Sequence, residues 1–109
     1  MTTHPLDRLF ETIAARAGAD PSTSYTAKLL AGGAQTCAKK VGEEAVETAM
    51  AAVLQDKPAV ARESADLLYH LAVLWAACGV KPDDVYAVLK QREGTSGLEE
   101  KASRGGGGR

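Results

Sequence analysis

The chain has 109 residues, enough for one domain, because half of it would be too short to bury a core of its own. Apolar residues at 45% and charged residues at 25% are the proportions of a globular protein, which sets aside the disordered and membrane classes. Thirteen Lys and Arg against fourteen Asp and Glu leave a formal net charge of −1, whereas a domain that neutralises nucleic-acid phosphates is usually clearly basic, so general DNA or RNA binding is disfavoured.

The opening MTTHPLDRLF has no long apolar core, and the longest uncharged apolar stretch, residues 71–80, is about half a membrane span. A soluble, cytoplasmic chain is therefore expected. Leu6, Leu9, Phe10, Ile13 and Ala14 recur at helical spacing, giving a first helix that ends near Ala17 and Gly18. A loop over residues 18–23 follows. Ser24 is suited to cap a short helix from Tyr25 to Ala31, which Gly32 and Gly33 stop. A third helix is predicted from about Ala34 to Leu54, tolerating Gly42 at a cost of about 1 kcal/mol. After the break at Asp56-Lys57-Pro58, a fourth runs from about Pro58 to Cys78 and ends at Gly79. The fifth starts with the acidic, proline-bearing turn Lys81-Pro82-Asp83-Asp84 and reaches about Arg92. Abundant alanine, five aromatic residues and the absence of an alternating strand pattern make the fold class all-α. The expectation is a compact bundle of four to five helices, a single domain over residues 1–104 with a flexible glycine-rich tail over 105–109. Cys37 and Cys78 belong to no CxxC pair and read as plain buried thiols.

Helices three and four carry the chemistry. On the third, Val41, Ala45, Val46, Ala49 and Val53 share one broad apolar arc, with Lys40, Glu43, Glu44 and Glu47 on the other. A solvated acidic face explains part of this, through Lys39–Glu43 and Lys40–Glu44 pairs worth about 0.2–0.5 kcal/mol each. Glu47, however, has no basic residue three or four positions away. The fourth helix is almost wholly apolar from Leu67 to Cys78 and is expected to be buried and central, its cover completed by a second copy. Glu63 lies on the same stripe as His70, Leu74 and Ala77, pointing inward, while Arg62 offers Asp66 an i,i+4 partner. Burying Glu63 ionised and uncompensated is unfavourable, and a divalent cation removes the difficulty.

Glu44-x-x-Glu47 and Glu63-x-x-Asp66 thus read as two carboxylate pairs facing each other across an antiparallel hairpin, each spanning about 4.5 Å along its helix. No Glu-x-x-His occurs, which argues against a di-iron site, and an oxygen-only donor set suits Mg2+, with Mn2+ as a substitute. His70, Tyr69 and Trp75 read as core or contact residues.

Four segments, SYTAKLL (24–30), KKVGEEAVE (39–47), ESADLLYH (63–70) and SGLEEKASR (96–104), together resemble the phosphoribosyl-ATP pyrophosphatase family of the all-α NTP pyrophosphatase (MazG-like) superfamily. The resemblance implies Mg-dependent hydrolysis of 1-(5-phosphoribosyl)-ATP to 1-(5-phosphoribosyl)-AMP and pyrophosphate, the second step of histidine biosynthesis, in a cytoplasmic homodimer without a fused cyclohydrolase. It implies that Glu44, Glu47, Glu63 and Asp66 hold the metal. Glu43 or Glu44 is then the candidate for activating water, Lys39 and Lys40 for holding phosphate, and Arg92, Lys101 or Arg104 for closing over the phosphoribosyl end. A pyrophosphatase for another nucleoside triphosphate shares the acidic core, and a non-catalytic helical interaction module shares the helices.

Overall fold

The computed structural model describes residues 4–94. Five α-helices follow one another: α1 (Pro5–Ala15), α2 (Tyr25–Ala31), α3 (Gly33–Val53), α4 (Lys57–Cys78) and α5 (Pro82–Gln91), with no strand among the described residues. The fold is all-α, and each helix lies within about two residues of its sequence-predicted limits. The segment 96–104, with Lys101 and Arg104, and the tail 105–109 lie outside the described residues.

Local chemistry sets the boundaries. Ser24, itself buried, accepts from the Ala27 N–H at 3.1 Å and starts α2; Asp56 Oδ1 does the same for Ala59 at the head of α4. At α5 the Asp84 carboxylate accepts from the Lys81 N–H at 2.9 Å. Proline stands in the first turn of α1, α4 and α5, where its missing N–H costs nothing. Gly79 ends α4 in the left-handed region (φ 75°), so that the Val80 N–H can reach back to the Trp75 carbonyl at 2.9 Å.

The long antiparallel hairpin of α3 and α4 is the frame, and only residues 54–56 connect its arms. α1 and α2 pack against α4, α2 also against α3, and α5 against α1. The core joins Ile13 of α1, Leu29 of α2, Cys37 of α3 and Ala72 and Val73 of α4. It therefore gathers at the open end of the hairpin. Toward the turn the hairpin leaves apolar side chains outside: Val46, Met50 and Val53 on α3 and Leu54 just after it are 54–73% exposed, and Leu68 on α4 is nearly half exposed.

Three expectations change here. The apolar arc of α3 is not its packing face: Ala45, Val46, Ala49 and Val53 are exposed, whereas the stripe against α4 is Cys37, Glu44 and Ala51. These recur every seven residues, the period of a helix held along a partner. α4 is buried at His70, Ala72 and Val73 but not all round. Cys78, the last residue of α4, is exposed, so only Cys37 is a buried thiol; burial, and then nearby Cys78, push that thiol's pKa up.

Candidate metal centre

An antiparallel hairpin with a turn at residues 54–56 places Glu44 beside Asp66 and Glu47 beside Glu63. Glu44, Glu63 and Asp66 each offer a carboxylate oxygen, and these oxygens lie within 4.8 Å of one another. Glu44 is buried, Glu63 half-buried and Asp66 exposed, so the group opens to solvent on one side. Glu47 adjoins it through Glu63, within hydrogen-bonding reach when one of the two carboxyls is protonated.

Glu63 shows the stress of the arrangement. Its Oε1 is buried and has no hydrogen-bond partner. Desolvation first, then the Glu47 hydrogen bond and the negative charge of Glu47, Asp66 and Glu44, push its carboxyl above the ordinary carboxylate range. A buried acceptor without a donor is uncommon, because folding gives up its water without replacing it. A divalent cation supplies what is missing: it takes oxygen ligands and cancels the mutual repulsion. The donor set fits. It is all oxygen, which suits Mg2+ or Mn2+ better than Zn2+.

The basic candidates separate. Lys40 pairs with Glu43 at 3.3 Å, one turn from Glu44, in place of the expected Lys40–Glu44 pair. Glu44 is turned inward against α4, which leaves Glu43 as the carboxylate on the outer side. The Glu43 hydrogen bond, and next the Tyr25 phenol, raise the Lys40 pKa. Lys39 is exposed on the same helix. Arg92 stands at the end of α5, lining a groove with Val80, Asp84, Val85, Val88 and Leu89 that contains none of the four acids. Arg62 is exposed, and Asp66 turns to Glu44 and Glu63.

Behind Asp66 lies His70, with a partner in Tyr25 that the sequence did not indicate. His70 is buried, its Nδ1 2.9 Å from the Asp66 carbonyl oxygen and its Nε2 3.3 Å from the Tyr25 hydroxyl. Both ring nitrogens are thus engaged, and His70 is the hydrogen-bonded core histidine expected of it. Tyr69, half-buried beside it, bonds Thr26. Tyr25 carried no local signal, since its partner is 45 residues away.

Known proteins of one family are similar to this chain over most of its length. A family model described as phosphoribosyl-ATP pyrophosphohydrolase matches residues 6–93. The phosphoribosyl-ATP pyrophosphatase of Parvibaculum lavamentivorans is 66% identical over 100 residues, 92% of either chain. That of Azospirillum brasilense is 63% identical over 99 residues, 91% of this chain and 89% of its own, and that of Paracoccus denitrificans 59% over 103 residues, 93% and 95%. With matches of this extent and an acidic cluster already in place, the chain belongs to the phosphoribosyl-ATP pyrophosphohydrolase family and is a hydrolase.

Proposed function

We propose that this chain hydrolyses 1-(5-phosphoribosyl)-ATP to 1-(5-phosphoribosyl)-AMP and pyrophosphate, in the cytoplasm, as the second step of histidine biosynthesis. The observation that carries the chemistry is the convergence of Glu44, Glu63 and Asp66 around an oxygen with no donor of its own. These three hold Mg2+, and Glu47 completes the set from beside Glu63. A bound Mg2+ supplies positive charge against the triphosphate oxygens where the α–β phosphoanhydride breaks.

The chain's own residues do the rest. A carboxylate among Glu43 and Glu44 orients a water and takes its proton while the water oxygen bonds to phosphorus and the bridging oxygen leaves. Burial of Glu44 within the cluster supports it in this role over Glu43, whose carboxylate is held by Lys40. Lys40 and Lys39 hold phosphate oxygens as point charges. Arg92, Lys101 and Arg104 remain candidates for the phosphoribosyl end.

The active form is a homodimer. Its face is the exposed apolar side of the hairpin, Val46, Met50, Val53 and Leu54 with Leu68, which a second copy covers.

Incubation with Mg2+ and a panel of phosphoribosyl-ATP, ATP and deoxynucleoside triphosphates tests the reading. Pyrophosphate release from phosphoribosyl-ATP alone is expected. Comparable release from the ordinary nucleotides contradicts the substrate, and no release from any of them contradicts the enzyme.

A further inference from the structure

Short α2 is bonded to α4 by two adjacent pairs, Tyr25 with His70 and Thr26 with Tyr69. The Tyr25 and Tyr69 rings are nearly parallel (18°), and the imidazole stands edge-on to both, at 82° and 85°. The Asp66 carbonyl sets the direction of the hydrogen bonds for a neutral imidazole. The Asp66 carbonyl only accepts, so His70 Nδ1 carries the hydrogen that points at it. In the neutral ring Nε2 is then an acceptor, and the Tyr25 O–H must donate to it. The phenol's one proton is directed inward. Toward the outside, Tyr25 Oη offers lone pairs alone, on a side chain whose residue is 51% exposed.

The facing arm, α3, carries an ammonium donor in Lys40. The Cys37 Sγ–H donates to the Leu29 carbonyl at 3.4 Å, which sets the register of α2 against α3 across the bend at Gly32 and Gly33. One helical turn further from that bend, the two arms present Tyr25 and the Lys40–Val41 pair. Lys40 is about one-third exposed and already gives one N–H to Glu43 at 3.3 Å. An ammonium has three N–H groups.

We propose that Tyr25 is a positioning residue for Lys40: its acceptor-only oxygen takes a second ammonium N–H, opposite Glu43, so that the third is aimed at a phosphate oxygen beside the acidic cluster. The observed contacts run from the Asp66 carbonyl through His70 to Tyr25, and the proposed bond to Lys40 would extend them, tying the phosphate-holding side chain of α3 to the metal-holding helix α4. This rests on the reading of Lys40 as a phosphate ligand.

The test compares wild type with Y25F, K40A and Y25F/K40A in the full chain. Phenylalanine keeps the ring against Tyr69 and His70 and removes only the oxygen. The expected result is a KM for phosphoribosyl-ATP raised about 3–10-fold in Y25F, in the lower part of the range for coupled contacting pairs, with kcat within about twofold. The double variant should be no worse than K40A alone. A substrate-free readout accompanies this: the 1H–15N signal of the Lys40 ammonium, slowed in exchange by two acceptors, should be visible in the wild type and weaken in Y25F. An unchanged KM in Y25F overturns the proposal, as does the same Y25F penalty in the K40A background. If wild type does not turn over phosphoribosyl-ATP, the substrate reading has failed, and the ammonium signal alone decides: no difference between wild type and Y25F overturns the positioning role.

Discussion

Glu63 carries a carboxylate oxygen that is buried and without a hydrogen-bond partner, and this is what supports it as a ligand in the proposed metal site. Its carboxyl is pushed up by burial and by three acidic neighbours, so the metal-free folded chain holds this proton more tightly than the unfolded chain does. The stability that follows is present below the ordinary carboxylate range and is lost as pH rises through the raised value. Thermal melting of the metal-free protein should therefore show a Glu63 contribution that falls toward neutral pH. In E63Q that contribution should disappear, and in wild type Mg2+ at neutral pH should offset it. The same substitution should cut kcat/KM at saturating Mg2+ by at least about 100-fold, the upper end of what losing a group that merely orients a metal ligand costs. Steady-state kinetics with added Mg2+ check this, and a variant within a few-fold of wild type contradicts the assignment.

Among the helices, α2 is the piece whose placement matters most for its size, because it brings Tyr25 and Thr26 to α4. Its start depends on one buried hydroxyl, so Ser24→Ala should cost about 1 kcal/mol and lower the melting temperature by about 4–8 °C, read by circular dichroism. At Gly79 a side chain meets no steric neighbour but must adopt a left-handed backbone, and Gly79→Ala should cost about 1–2 kcal/mol in the same measurement. Helix limits were legible because caps, prolines and glycines are local: Ser24 and Gly32 bound α2, and Asp56 and Gly79 bound α4. The spacing of Glu44, Glu47, Glu63 and Asp66 was legible for the same reason. Which face of α3 meets α4 was not. Periodicity groups Ala45, Val46, Ala49 and Val53 together, but it does not say what they meet, and here their neighbours leave them outside. Nor does spacing along one helix reveal that Lys40 turns to Glu43 once Glu44 is drawn inward, or that Tyr25 finds His70 across the chain.

At the scale of the whole molecule, the core fills one end of the α3–α4 hairpin while the other end shows Val53 and Leu54, each 73% exposed. Apolar side chains gathered in this way mark an interface. Sedimentation equilibrium should give a dimer for the wild type. Met50→Glu, which sets a carboxylate one turn from both Val46 and Val53, should shift it to monomer; a wild type that sediments as a monomer contradicts the interface. The acidic cluster lies where the covered and uncovered ends of the hairpin meet, with Glu44 buried on one side and Asp66 open to solvent on the other, as the proposed metal site requires. Crystals soaked in Mn2+ test that arrangement most directly, through the anomalous difference map. The peak is predicted among the carboxylate oxygens of Glu44, Glu63 and Asp66. A map with no density there, in crystals of a protein that still releases pyrophosphate, would contradict it.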